Sequence, residues 1–137
     1  MKTLVLDTSV AVAWYLPEAF GAAARAWQAR LLDAKVRLVV PSLHYWEFAN
    51  VLRTYVRRGE LDRSVAADIY AVHLDAPLEV AEPDRHAVLE TALELDATVY
   101  DAVYIALARR LDALLLTAER KTTPWVVRLG RLIEPVR

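Results

Sequence analysis

Short apolar runs that do not alternate with polar residues recur along this chain: Thr3–Leu6, Arg37–Val40 and Ala113–Thr117, with weaker ones at Leu78–Ala81 and Leu132–Glu134. An alternating strand keeps one wet face, whereas an unbroken run must be covered on both. Long helical stretches separate the runs. The segments expected as helices are Val10–Tyr15 with Ser9 as N-cap, Gly21–Ala34, Leu43–Arg58 capped by Ser42, and one from Asp62 to about Asp75. Further helices are expected over Asp84–Leu95, Thr98–Leu111, and a short one from Pro124. Pro17, Pro41 and Pro77 punctuate these elements, and Gly59 is placed as the C′ residue of the third helix. Strands alternating with helices in this way predict a mainly parallel central sheet in a three-layer α/β/α sandwich. No linker, repeat or low-complexity stretch interrupts residues 1–137, so one domain is expected.

Composition narrows the functional classes. A net charge of −1 gives no global attraction for nucleic acid, so any such binding must come from local basic groups or a bound cation. The absence of cysteine excludes thiol catalysis and cysteine-ligated zinc and fits a reducing cytoplasm. Asp7 arrives too early for a signal-peptide core, and no apolar run approaches the roughly 20 residues that cross a bilayer. A soluble, cytoplasmic protein with no membrane contact is the expectation. Gln28 and Asn50 are the only amides and Arg outnumbers Lys, a bias that thermostability or a GC-rich genome would produce equally.

The chemistry is carried by four acids at the ends of, or embedded in, apolar segments. Asp7 closes Leu4-Val5-Leu6, Glu47 lies between Trp46 and Phe48, Asp101 opens Ala102-Val103-Tyr104-Ile105, and Glu119 follows Leu114–Thr117 by two residues. In open parallel sheets ligands bind beyond the carboxyl ends of the strands, which is where Asp7 and Glu119 fall. Two carboxylates about 4 Å apart repel by roughly 4 kcal/mol at an effective dielectric near 20. A divalent cation is the simplest compensating charge if the four converge, which points to a metal-dependent hydrolase. Mg2+ suits such a set, since it prefers oxygen ligands and keeps several waters.

Leu4-Val5-Leu6-Asp7-Thr8-Ser9, Glu47 with Asn50, the run Tyr100-Asp101-Ala102-Val103-Tyr104-Ile105-Ala106-Leu107-Ala108, and Leu115-Leu116-Thr117-Ala118-Glu119 together resemble the PIN domain. Length and motif order are similar to the VapC-type toxins of toxin–antitoxin pairs, and the resemblance covers essentially the whole chain. It implies an endoribonuclease using Mg2+ or Mn2+, with Asp7, Glu47 and Asp101 as the principal metal-binding and catalytic acids. Glu119 stands where these toxins usually carry Asp, one methylene longer. The resemblance also implies an RNA substrate, a VapB-type antitoxin partner and a homodimer.

Around these acids, the hydroxyls of Thr8, Ser9 and Thr117 are placed to hydrogen-bond a ligating carboxylate, and Asn50 to orient Glu47 from one helical turn away. Arg120 and Lys121 are candidates for gripping RNA phosphates, as readily read as solvated surface. His44, His73 and His86 are widely spaced and read as incidental. The tryptophans and tyrosines read as core or interface, Tyr104 having a second reading near the site because it stands one turn from Asp101. Three other functions compete: a PIN nuclease of RNA processing or decay, a catalytically silent PIN-fold module, and a haloacid-dehalogenase-like phosphatase. The last would want a second Asp where Ser9 stands.

Overall fold

The computed structural model describes residues 1–137. Five strands, β1 (Lys2–Leu6), β2 (Val36–Val40), β3 (Glu79–Val80), β4 (Leu114–Thr117) and β5 (Ile133–Pro135), form one sheet in the order β3-β2-β1-β4-β5, every pair parallel. Between them run α1 (Thr8–Val12), α2 (Gly21–Leu32), α3 (Leu43–Arg57), α4 (Arg63–Leu74), α5 (Arg85–Leu95), α6 (Val99–Leu111) and α7 (Pro124–Leu129).

The unbroken apolar strands are sandwiched as expected. Leu4 and Leu6 of β1, Leu38 and Val40 of β2 and Leu116 of β4 pack on one face, with Val10, Phe48 and Leu52 from the helices. Their sequence neighbours Val5, Val39 and Leu115 face the other way, against Tyr104, Ile105, Leu107 and Trp125. The strict alternation of side chains along a strand makes two cores out of one run. Burying a leucine or valine fully stabilises by roughly 1.5–3 kcal/mol, so the central strands hold the three layers together. The edge is thin by comparison. β3 is two exposed residues rather than the predicted Leu78–Ala81, pinned to β2 partly by Arg37 Nη2 to Glu79 Oε2 at 2.6 Å.

Helix termini follow their sequence signals with three departures, one being Ser42, which precedes α3 in helical backbone and makes no side-chain capping bond. Asp84 caps α5 by accepting from the Ala87 N–H, and Gly59 closes α3 with φ +73°. The helix after β1, however, begins at Thr8 with Asp7 as its N-cap residue, and ends at Val12. From Ala13 to Tyr15 the chain tightens into i→i−3 hydrogen bonds rather than continuing as α-helix. Ser9 does not cap, because its hydroxyl is already engaged with the Asp7 carboxylate. The second helix stops at Leu32, two residues short of the expected Ala34, which adopts φ +56°.

The first strand lies in the middle of the sheet, with β2 on one side and β4 on the other. The chain therefore departs from β1 in opposite directions, and the crevice between the carboxyl ends of β1 and β4 is the place where such a fold holds a ligand.

Candidate active site

Asp7 is the first residue beyond β1. Its backbone is extended (φ −74°, ψ 145°) and its N–H bonds the Leu116 carbonyl of β4 at 3.0 Å, which locks it at the crevice. Its carboxylate does not cap α1 but turns aside to its neighbours. Thr117 Oγ1 and Ser9 Oγ both donate to Asp7 Oδ2, at 2.7 and 3.1 Å, leaving Oδ1 without a protein donor. The two hydroxyls are used twice, since Thr117 Oγ1 accepts from the Glu119 N–H and Ser9 Oγ from the Ala118 N–H. Ser9 thus secures Asp7 and the turn after β4, and offers no acid where a dehalogenase-like phosphatase would need one.

Glu47 comes from the second turn of α3. Its Oε1 accepts from Tyr104 Oη at 2.6 Å and from Thr8 Oγ1 at 3.1 Å, and its Oε2 has no protein donor. Asp101 sits in the first turn of α6. The residue that caps this helix is Thr98, whose Oγ1 accepts the Asp101 N–H at 3.1 Å, so the Asp101 carboxylate is not spent on capping. Glu119, on the loop after β4, has Oε1 tied to Thr123 Oγ1 at 2.9 Å.

These four acids, from four distant segments, line one open cavity of about 430 Å3, together with Thr8, Ser9, Glu18, Phe20, Tyr55, Arg120 and Arg137. Burial is the main influence on Asp7, Glu47 and Asp101. It raises the Asp7 carboxyl to about 6 from 3.8; the Thr117 and Ser9 hydrogen bonds oppose the rise, and the charges of Asp101 and Glu47 add to it. Glu47 is raised first by burial, against the Tyr104 and Thr8 hydrogen bonds, and then by Asp101. Asp101 is raised by burial and next by the charge of Glu119. The pocket is an oxygen-lined concentration of negative charge without enough local cation to balance it.

No three acids or histidines stand close enough to form a ready-made metal cage. A hard cation that keeps most of its water needs no closed cage, only accessible carboxylate oxygens. Asp7, Glu47 and Glu119 each keep one oxygen with no protein donor, and Mg2+ needs only one or two direct carboxylates because it retains water on its other faces. The residues fit a hard divalent cation on those grounds.

Of the residues singled out in the sequence, Asp7, Glu47, Asp101 and Glu119 come together, and Thr8, Ser9 and Thr117 bond their carboxylates. Asn50 does not join them: it is exposed on α3 and makes no side-chain hydrogen bond to Glu47, a task taken by Thr8 and Tyr104. Arg120 lines the cavity, whereas Lys121 lies outside its wall. Two histidines read as incidental are not so, for His44 and His73 are fully buried and bonded to each other through their Nε2 atoms at 2.8 Å. Glu18 and Arg137 also reach the cavity, and nothing in their local sequence marked them.

The PIN domain family model matches residues 4–122. Ribonuclease VapC3 of Pyrobaculum aerophilum shares 34% identity over 127 residues, covering 86% of this chain and 90% of that protein. Among solved structures, the P. aerophilum protein PAE2754 superimposes with a TM-score of 0.72 at 23% identity, covering 99% of this chain and 84% of its own. Mycobacterium tuberculosis VapC20, a sarcin-ricin-loop-cleaving toxin, superimposes with a TM-score of 0.63 at 17% identity, over 93% and 95% of the two chains. Both structural matches share the α/β/α architecture described above.

Proposed function

This chain belongs to the PIN-domain family, and from that premise we propose that it is an endoribonuclease dependent on Mg2+ or Mn2+, the toxin of a toxin–antitoxin pair. The observation that carries the reading is the convergence of Asp7, Glu47, Asp101 and Glu119 on one cavity at the switch point of the sheet. Asp7, Glu47 and Asp101 would hold the cation through the oxygens their protein donors leave free, with Glu119 at the rim. Such a cation lowers the pKa of water and neutralises charge on a phosphodiester in flight.

The chain's own groups do the positioning. Thr117 and Ser9 fix the Asp7 carboxylate by Oδ2, and Tyr104 and Thr8 fix Glu47 by Oε1, so neither acid needs to reorganise when the substrate arrives. Glu119 Oε2, a carboxylate oxygen without a donor at the rim, can accept the proton of the attacking water. Arg120 and Arg137 stand on the cavity wall as anchors for the RNA backbone; the Arg137 guanidinium lies over the Phe20 ring, 4.8 Å from its centroid. No helix is long and apolar enough to cross a membrane, which suits a cytoplasmic enzyme acting on cellular RNA. In this reading a VapB-type antitoxin covers the groove until it is degraded, and two copies of the chain form a dimer.

Incubation of a mixed single-stranded RNA pool with the protein and Mn2+ or Mg2+ tests the proposal, with EDTA and Asp7→Asn as controls. Cleavage lost in both controls is expected. Cleavage that survives EDTA, or no cleavage under any of these conditions, overturns it.

A further inference from the structure

Behind the pocket, five side chains continue from Glu47 into the core. Tyr104 Oη stands 2.6 Å from both Glu47 Oε1 and Thr8 Oγ1. Thr8 Oγ1 is 3.1 Å from His44 Nδ1, His44 Nε2 is 2.8 Å from His73 Nε2, and His73 Nδ1 is 3.0 Å from Tyr15 Oη. Both imidazoles are fully buried, and His73 stacks on Phe48 with ring centroids 4.1 Å apart.

Proton bookkeeping gives this chain a single direction. An ionised Glu47 has no proton to give, so Tyr104 donates to it. The phenol has only one proton, so the 2.6 Å contact between Tyr104 and Thr8 must be filled by the threonine's, which Glu47 Oε1 at 3.1 Å shares as the weaker partner of a three-centre bond. That leaves Thr8 Oγ1 as an acceptor towards His44, whose proton therefore sits on Nδ1. A neutral His44 is then bare at Nε2 and accepts from His73 Nε2–H, and a neutral His73 is bare at Nδ1 and accepts from Tyr15. The 2.8 Å separation of the two Nε2 atoms requires one of them to be bare, so the rings cannot both be cations. Burial also holds His44 down at about 3, helped by the neighbouring imidazole, and His73 at about 4. All five donors point towards the carboxylate, an arrangement in which each bond polarises the next.

We propose that the buried His44–His73 pair is a positioning element for Glu47: it completes a one-way hydrogen-bond chain that keeps the Thr8 and Tyr104 hydroxyls committed to Glu47 Oε1 and leaves Oε2 for the cation. The inference rests on Glu47 being a cation ligand, and it extends the working part of the molecule to a helix outside the cavity. His73 lies in the last turn of α4, so α4 must be docked on α3 for the chain to be complete.

Long-range 1H–15N spectra of the full chain read the ring protons directly. The expected result is a proton on His44 Nδ1 and on His73 Nε2, with that fixed pattern giving way to mixed tautomers in Glu47→Ala. The opposite tautomers in the wild type, or an unchanged pattern in Glu47→Ala, overturn the proposal. Mn2+ titration supplies the second readout. His73→Gln keeps an amide donor to His44 and should bind Mn2+ within about twofold of wild type, whereas His73→Leu should lose about tenfold, as when an outer partner of a metal ligand is removed. Equal affinity in the two variants, both folded by circular dichroism, overturns it. A wild type that shows the expected tautomers and Mn2+ dependence yet cleaves no RNA would refute the nuclease reading and support the positioning chain.

Discussion

Thr117 Oγ1 donates to Asp7 Oδ2 at 2.7 Å, so the last residue of β4 holds the first residue beyond β1 across 110 positions of sequence. The bond is between a hydroxyl and a buried anion, the kind whose loss leaves a desolvated charge behind. Thr117→Val should cost about 1–3 kcal/mol at neutral pH, measured by urea unfolding. It removes the largest influence that holds the Asp7 carboxyl down. The acid limb of the cleavage pH profile should therefore move to higher pH; an unmoved limb would separate Asp7 from the titration.

Asp7 also predicts a pH-dependent stability with a definite sign. The folded carboxyl titrates at about 6, above its ordinary 3.8, so between those values the folded state binds more protons than the unfolded one. The stability contributed is fully present below 3.8 and lost as pH rises through about 6. On the order of 3 kcal/mol is at stake for a shift of this size. Without divalent cation, Asp7→Asn should thus melt higher than wild type at neutral pH, the two converging near the ordinary carboxylate range. Mn2+ at a hundredfold excess over its dissociation constant should restore about 2.7 kcal/mol to the wild type alone.

The two basic candidates should separate. Arg120 lines the cavity and Lys121 does not. Arg120→Ala should reduce the salt slope of single-stranded RNA binding by about 0.7, one phosphate contact, while Lys121→Ala leaves it near wild type. Equal slopes for both variants would remove Arg120 from the interface.

Trp46 on α3 is 71% exposed, and Val99 and Tyr100 at the start of α6 are 48% and 62% exposed. Side chains of that size left open to water are what an interface between copies would cover. Light scattering should show the proposed dimer for the wild type and a monomer for Trp46→Glu. A wild type that is already monomeric would remove the dimer.

Asp96 and Asp112 end α5 and α6 in the left-handed region, at φ +51° and +50°. Each combines a conformation that favours glycine with a negative charge at the wrong end of a helix dipole. Asp112→Asn, which tolerates the left-handed region and removes the charge, should raise stability by roughly 0.3–1 kcal/mol in thermal melts.

The layers and the four acids were legible because their signals are local. Unbroken runs such as Leu4-Val5-Leu6 declare a covered strand, Asp84 and Gly59 mark helix ends, and Asp7 and Glu119 stand beside the strands that place them. The relay behind Glu47 was not legible. His44 meets His73 across 29 positions, Thr8 meets His44 across 36 and Glu47 meets Tyr104 across 57, and no spacing rule connects residues that only the docking of α1, α4 and α6 onto α3 brings together. Asn50 failed for the opposite reason. Spacing along a helix says which residues are neighbours, not which neighbour faces solvent.

The central place of β1 bears on how the protein is made. β1 leaves the ribosome more than a hundred residues before β4, so one flank stays bare in between and the Asp7 carboxylate has no Thr117 until then. Contacts so distant in sequence form late in folding. A chain that stops short of β4 therefore carries Asp7, Glu47 and Asp101 without the pocket. The four acids share one pocket only after β4 has docked beside β1.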